Sequence, residues 1–588
     1  MEKWVLKNKV ADFRAIQEEH QISEVLARLI VNRGLVQRDD IERYLHTDIK
    51  YMHQPDTMKD ILKSIAIIKD KIETKKKIRI VGDYDIDGIS ATYILYQGIK
   101  RCGGDVDYEI PDRVKDGYGI NLSIIEAAYE DGVDTIITCD NGIAATAQVE
   151  RGIQLGMTII VTDHHDIPYT EVDGVKEYNI PPAHAVVNPK QADCPYPFKE
   201  ICGALVTYKL IQLLFKVYNI GEEELNPFIE IAAIATVCDV MDLVDENRAI
   251  VKQGLTFLRN TKILGLKALM ELNNIVTGRI STFHLGFVIG PCLNASGRLD
   301  SAKKGLRLLL AETKEEADVL AAELKELNDI RKDMTLKGFS SAIEEIEKTA
   351  RKEDKVLVVY LPAYHESIAG IIAGRIKEKY NKPAIVLTNS EHGVKGSARS
   401  IEAYNIYEEL NQCRNLLTKF GGHPMAAGLS LEQENIEPLR EALNQNTTLT
   451  EEELMPKVVI DVILPFGYIS EELVVELDKL EPFGKGNTKP LFAEKNLTIL
   501  KASILGKGQN VLKFLLMNEF NKVIEALYFG DVEGFMKDAN EKYGEDEVQK
   551  LFQNRDSNMK ISITYYPGIN EFGGRKSLQV VIQNYQFL

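Results

Sequence analysis

The chain has 588 residues, 45% hydrophobic and 27% charged, with a formal net charge of −17 at pH 7. That length exceeds one hydrophobic core and calls for roughly three or four domains, and the negative balance argues against nonspecific coating of nucleic acid while leaving room for a local basic groove or acidic metal sites. No run of about 18 apolar residues is present to span a bilayer and the first residues lack a signal peptide's apolar stretch, so a cytoplasmic protein without membrane association is expected. The seven cysteines show no C-x-x-C spacing and indicate neither a zinc cluster nor a disulfide framework.

Residues 1–76 read as a helical preface, with apolar spacing through Ile22, Val25, Leu26, Leu29 and Ile30 and again through Ile61, Ile65 and Ile68. From residue 77 to about 300, short β-rich runs alternate with helices: 78–82, 105–110, 134–139, 157–162 and 184–187. That alternation marks an α/β domain with a parallel sheet, in which sites gather beyond the carboxyl ends of the strands. Residues 301–350 lack proline and carry Ala317, Leu320, Leu324, Leu327 and Ile330 at helical spacing among Glu and Lys, which predicts a long connecting helix. A second α/β unit over 351–452 begins with the run ending at Tyr360 and contains the run 396–400 and the Gly421-Gly422-His423 element. From 453 to 588 the chain turns to short β-type runs (457–463, 497–505, 511–516, 522–529, 560–565 and 578–584), which suggests a small closed barrel of the oligonucleotide-binding (OB-fold) kind.

The strand ends carry the chemistry. The run into Gly82 ends at Asp83, Asp85 and Asp87; that into Cys139 ends at Asp140; that into Thr162 ends at Asp163, His164 and His165; and a helical approach ends at Asp239, with Asp242 following. Three alternating aspartates crowd like charges, which is costly unless a cation neutralises them. Carboxylates with an imidazole and no thiolate suit Mn²⁺ over Ca²⁺, with Mg²⁺ also accommodated. One bridging aspartate would hold two ions about 3.5–4 Å apart, the spacing that clamps an in-line phosphoryl displacement.

These motifs resemble the DHH phosphoesterase superfamily, whose triplet stands here as Asp163-His164-His165. Similarity to its single-strand-specific exonuclease branch is carried by Pro111-Asp-Arg113 through Gly119, Asn188-Pro-Lys190, Asn294-Ala-Ser-Gly-Arg298 and Glu481-Pro-Phe-Gly-Lys-Gly-Asn487. The resemblance implies metal ligation by Asp85, Asp87, Asp140, His164 and Asp239, with Asp140 as the bridge and Asp83 and Asp163 as supporting or alternative ligands. It implies that His165 faces the scissile phosphate, and that Arg113, Arg298, Arg399 and Ser397 capture a terminal phosphate. Asn294 belongs to the same substrate set. Gly421 and Gly422 bring backbone N–H groups and His423 a donor to a phosphate, with the small residues after them packing a helix whose N-terminus faces the anion. Tyr118, the C-terminal aromatics and Lys485, Lys507 and Lys513 of the barrel are further contacts to DNA.

The activity so implied is 5′→3′ exonuclease action on single-stranded DNA, releasing 5′-mononucleotides with two divalent ions, in recombination and repair. A monomer is expected, with single-strand-binding protein and a RecQ-type helicase as partners. Two alternatives remain open: a phosphodiesterase acting on oligoribonucleotides or cyclic dinucleotides, and an inactive nucleic-acid-binding scaffold.

Overall fold

The computed structural model describes residues 2–113, 116–172, 175–390, 393–506, 508–553, 555–572 and 574–588. They form two compact units, one of Asp48–Pro456 with Gly484–Gly486, the other of Met1–Thr47, Lys457–Phe483 and Asn487–Leu588. The stretch 1–76, read above as one helical segment, is therefore divided near residue 47.

The larger unit holds two sheets. In the first, β1 (Ile78–Val81), β2 (Val106–Glu109), β3 (Thr135–Cys139), β4 (Thr158–Thr162) and β5 (Ala185–Val187) lie in the order β2-β1-β3-β4-β5, every neighbouring pair parallel. The strands inside the half-buried edge strand β2 are rich in β-branched residues because both faces are covered: Ile80, Ile137 and Ile160 enter one core, and Val81, Ile136, Ile159 and Val161 enter another. The larger of these cores is built with α1 (Ile86–Arg101), α2 (Gly203–Val217) and α3 (Asn226–Cys238).

α4 (Gly290–Leu299) leads through a short helix to α5 (Lys314–Lys348). The long helix expected over 301–350 begins at Lys314 because the Thr313 hydroxyl accepts from Glu316 N–H at 3.2 Å and caps a new start. At about 1.5 Å per residue α5 is about 50 Å long. Ala317, Leu320 and Leu324 of its first half sit in the first core, and Ala342 and Ile346 of its second half in that of the next lobe.

That lobe contains β6 (Leu357–Tyr360), α6 (Glu366–Tyr380), β7 (Ala384–Ser390), β8 (Gly393–Arg399), β9 (Lys419–His423) and β10 (Ala426–Leu431). The sheet order is β9-β10-β8-β7-β6, with only β6 and β7 parallel. The Gly421-Gly422-His423 element lies on an edge strand paired antiparallel with the following small residues, Gly421 opposite Gly428 and His423 opposite Ala426. The expectation of a helix N-terminus at this point is corrected: small residues here allow tight strand pairing.

In the smaller unit, β11 (Phe492–Leu505), β12 (Val511–Met517), β13 (Val523–Tyr528), β14 (Lys560–Phe572) and β15 (Arg575–Phe587) close into a five-stranded barrel, because β14 pairs back onto β11. Phe492, Phe514, Ile563 and Tyr565 fill its core, as alternation along half-buried strands requires. Residues 457–463 do not form one barrel strand: Lys457–Ile460 pairs in parallel with Lys3–Leu6, and only Val462–Ile463 joins β11. Leu26, Leu29 and Ile30 of the helix Glu24–Asn32 pack into the barrel's core, and Asn32 donates to the Asp461 carbonyl at 2.8 Å.

Candidate metal centre and phosphate pocket

The parallel strands deliver their carboxyl ends to one edge, and there the acidic residues meet. Asp85 caps α1, its Oδ1 accepting from the N–H groups of Asp87 at 2.9 Å and Gly88 at 3.1 Å. Asp87, in the first turn of that helix, points instead at the start of α2, whose Gly203 and Ala204 N–H groups donate to its two oxygens at 2.6 and 2.8 Å. A helix N-terminus thus holds an aspartate by backbone dipoles. Gly203 is required by close approach, since a Cβ there would lie 2.8 Å from that of Asp140.

Asp140 follows β3 in a left-handed conformation, φ 61°, which Asp tolerates better than most residues. Two donor triads share the space around it. Asp83, Asp85 and Asp140 bring ligand oxygens within 4.8 Å of one another, and Asp87, His164 and Asp239 bring theirs equally close. His164 Nε2 stands between the two sets, 3.0 Å from Asp140, 3.5 Å from Asp87 and 3.8 Å from Asp239. Asp242 lies apart from both triads and pairs with Lys485 at 3.2 Å.

The residues fit a pair of divalent cations on their own chemistry. Asp83 Oδ2 and Asp140 Oδ1 are buried without a well-directed hydrogen bond among the described residues. Burial first, and then repulsion from Asp85 and Asp87, push the carboxyls of Asp140 and Asp239 well above the ordinary carboxylate range; burial and Asp85 do the same to Asp83. Such a cluster calls for positive charge at its centre.

Asp163 is different. Its Oδ1 accepts from His164 N–H at 2.7 Å, His165 N–H at 3.1 Å and His165 Nδ1 at 2.8 Å, and its Oδ2 from Ile143 N–H at 2.9 Å. Burial alone would raise this carboxyl, but the His165 and backbone donors bring it down to about 2. Burial likewise works against protonated His165, and the Asp163 bond outweighs it, lifting the imidazole to about 9. With Nδ1 engaged, Nε2 carries the available proton. Tyr118 stands beside it, its hydroxyl 3.2 Å from the ring nitrogens while donating to the Asp140 carbonyl at 2.7 Å.

Next to the acidic cluster lies an arginine pocket. Arg113 stacks over Tyr84 at 4.6 Å, Arg298 donates from α4 to the Ser367 carbonyl at 2.8 Å, and Arg399 donates from β8 to Ser397 Oγ at 3.1 Å. Among the described residues none of the three pairs with a carboxylate. Burial first, then Arg113 and Arg331, pull Arg298 down to about 10; burial and Arg113 lower Arg399. A guanidinium stays charged, so arginines crowded together without a carboxylate partner suit an anion. Gly370 makes room for the fork, since a Cβ there would lie 2.9 Å from Arg399 Nη2. An adjoining cleft of about 490 Å³ is lined by Arg113, Ser397, Lys395, Lys419 and Gly421.

The remaining expected contacts fall elsewhere. Asn294 accepts from Ile86 N–H at 2.8 Å, tethering the aspartate loop. Gly421, Gly422 and His423 are exposed, with His423 3.8 Å from Asp166. Lys485 belongs to the larger unit and pairs with Asp242, not to the barrel; Lys513, on β12, pairs with Glu525 at 2.7 Å; Lys507 lies outside the described residues. Sequence reasoning missed Gly203 and Ala204, whose functional groups are backbone N–H and leave no side-chain signal. It also gave no role to Asn141 and Asn188, which bridge the strand-end loops through Val81, Cys139 and His165 carbonyls.

Comparison with known proteins agrees with this layout. The model of the DHH family, N-terminal domain, matches residues 77–236, that of the DHHA1 domain 353–448, and that of the RecJ OB domain 460–584. The chain is 35% identical to the single-stranded-DNA-specific exonuclease RecJ of Bacillus subtilis, over 99% of its own length and 70% of the relative's. It is 31% identical to the Escherichia coli RecJ over 96% of each. Among solved structures it is similar to RecJ in complex with Mn²⁺ from Thermus thermophilus, at TM-score 0.79 and 25% identity over 99% of this chain and 79% of that one. It is similar also to an exonuclease RecJ bound to manganese, at TM-score 0.58 and 29% identity over 68% of this chain and 96% of that one.

Proposed function

This chain belongs to the RecJ family of DHH phosphoesterases, and from that premise we propose that it degrades single-stranded DNA from the 5′ end, releasing 5′-mononucleotides. It is a metal-dependent exodeoxyribonuclease of the single-strand-specific kind. The observation that carries the reading is the pair of donor triads brought together where His164 of one approaches Asp140 of the other, beside an unpaired arginine pocket.

Two divalent ions, Mn²⁺ preferred and Mg²⁺ possible, would be held by Asp87, His164 and Asp239 on one side and by Asp83 and Asp85 on the other, with Asp140 shared. Bound there, such ions activate water and neutralise charge on the leaving oxygen. Asp163 keeps His165 protonated and turned so that Nε2–H donates to a phosphate oxygen or to the departing 3′ oxygen. Tyr118 steadies that imidazole, and Asn294 fixes the aspartate loop. Arg113, Arg298, Arg399 and Ser397 hold the terminal phosphate by guanidinium forks, which blocks further threading and sets cleavage one nucleotide from the end. His423, Gly421 and Gly422 border the approach.

The chain acts in the cytoplasm as a monomer under this reading, in DNA recombination and repair, with single-strand-binding protein and a RecQ-type helicase as partners. The described residues contain no helix long and apolar enough to cross a membrane. Digestion of 5′- and 3′-labelled single-stranded DNA and RNA, with and without Mn²⁺ and with the 5′ phosphate present or absent, tests it. Release of 5′-labelled mononucleotide first, dependent on Mn²⁺, is expected; 3′-end-first release would overturn the polarity.

A further inference from the structure

The residues Thr282–Leu299 run as one helical segment whose middle, Leu285–Ile289, is a π-helix. Pro291 supplies the cause: inside a helix it has no N–H for the carbonyl four residues back and its ring crowds that carbonyl, and a widened turn relieves both. Along this segment three features stand in order. Arg298, at the C-terminal end, reaches the phosphate pocket. Asn294, one turn earlier, holds the loop of Asp85 and Asp87 through Ile86. At the N-terminal end, Phe283 and Phe287 stack on each other, ring centroids 5.2 Å apart and planes 22° from parallel.

Those two rings are 60% and 69% exposed, an unusual fate for a phenylalanine pair. Their neighbours Leu285 and Ile289 are fully buried, so the segment is firmly seated and the pair is held outward on a rigid support. The Cys238 thiol, adjacent to Asp239, donates to the Leu285 carbonyl at 3.4 Å, so the aromatic end abuts the helix that carries a metal-binding carboxylate. Val240, just past Asp239, adds an exposed aliphatic surface held at φ 57°, a conformation that a β-branched residue adopts only under constraint.

We infer that Phe283 and Phe287 form a stacking platform for the nucleobases of single-stranded substrate that has not yet reached the metal centre. The inference rests on the exonuclease reading and names a specificity element for it. A strand whose 5′ phosphate sits at Arg298 and whose first linkage lies over the aspartate loop continues toward the aromatic end, about 16 to 22 Å from Arg298 along the helix at 1.5 Å per residue. That distance is a few nucleotides of extended strand. Ring faces bind any base and sequence-tolerant capture needs nothing more, whereas bases paired in a duplex have no free face to offer. The platform therefore favours single strands as well as holding them.

The test uses the full chain with Mn²⁺ and compares Phe283→Ala/Phe287→Ala with Phe283→Tyr/Phe287→Tyr. The substrates are a 5′-phosphorylated 20-mer of thymidine and the 5′-phosphorylated dinucleotide. The preference in kcat/KM for the 20-mer over the dinucleotide falls about five- to hundredfold in the alanine pair, the loss of about one stacked base, through KM rather than kcat. The tyrosine pair, which keeps the rings, retains the preference. In parallel, 2-aminopurine placed at successive positions of the oligomer is quenched a few nucleotides from the 5′ end by the wild type and not by the alanine pair. An undiminished preference in the alanine pair, or a preference kept as fully by Phe283→Leu/Phe287→Leu as by the tyrosine pair, overturns stacking while leaving the exonuclease reading intact. Quenching without cleavage by the wild type overturns the exonuclease reading while supporting the platform.

Discussion

The acidic cluster and the arginine pocket lie side by side and carry opposite faults. In the first, buried and half-buried aspartates repel one another and are pushed toward protonation; in the second, half-buried arginines repel one another and are pulled down. A third site shows what a self-sufficient charge looks like. Lys209 and Glu246 are both fully buried and meet at 2.7 Å, with Lys209 also donating to the His53 carbonyl and Tyr196 to Glu246 at 2.5 Å. Buried charge closed on itself serves the fold, whereas buried charge left open in matched acidic and basic halves calls for a cation and an anion from outside. The two open sites also differ in origin. The acidic cluster is assembled within one lobe from adjacent strand ends and the end of α3, while the arginines come from both lobes, Arg113 and Arg298 from one and Arg399 from the other.

Asp140 is the position at which the acidic site is most sensitive to substitution. Asp140→Ala removes a carboxylate that belongs to one triad and lies 3.0 Å from His164 of the other, and lowers kcat about a thousandfold or more, with calorimetry registering loss of Mn²⁺ binding; near-normal turnover would sink the shared-ligand assignment. Lys209→Met, by contrast, leaves Glu246 buried without its partner and costs about 3–5 kcal/mol of stability, read as a lower urea midpoint with an unchanged metal stoichiometry. Arg298→Ala opens the anion site to a smaller degree. The preference for 5′-phosphorylated over 5′-hydroxyl ends falls about ten- to hundredfold, the worth of one charge-assisted contact, while cleavage of 5′-hydroxyl strands changes least. The smallest effect has the most diagnostic sign. In metal-free protein Asp140→Asn relieves like-charge repulsion and raises the melting temperature by about one degree, about 1 kcal/mol for a chain this long, whereas with saturating Mn²⁺ the wild type is the more stable of the two.

Much of this was legible in the chain. The five strands of the first sheet lie within a residue or two of the runs read from β-branched clustering, because strands buried on both faces leave unbroken apolar stretches. The clustering of Asp83, Asp85, Asp140 and His164 follows, since side chains just past parallel strands share one edge. Arg113, Arg298 and Arg399 needed the resemblance, as each alone is an ordinary surface arginine. What failed was pairing at a distance. Lys457–Ile460 reads as a barrel strand yet pairs with Lys3–Leu6, and Gly421-Gly422-His423 reads as a helix approach yet forms an edge strand. Local pattern gives a segment's preference and says nothing of its partner.

The strand ends, the carboxylates and imidazoles that cluster past them and the presence of a terminal barrel were thus settled by the chain alone, since all of them rest on short-range periodicity and on chemically distinctive residues. Tertiary structure alone decided the rest. It set Asp87 on the backbone N–H groups of Gly203 and Ala204, made Asp163 a support for His165 and brought Asp140 of one triad against His164 of the other. It also joined the first 47 residues to the barrel and turned Phe283 and Phe287 outward. These outcomes depend on backbone groups, burial and contacts between segments far apart in the chain, and none of those is written in the order of side chains.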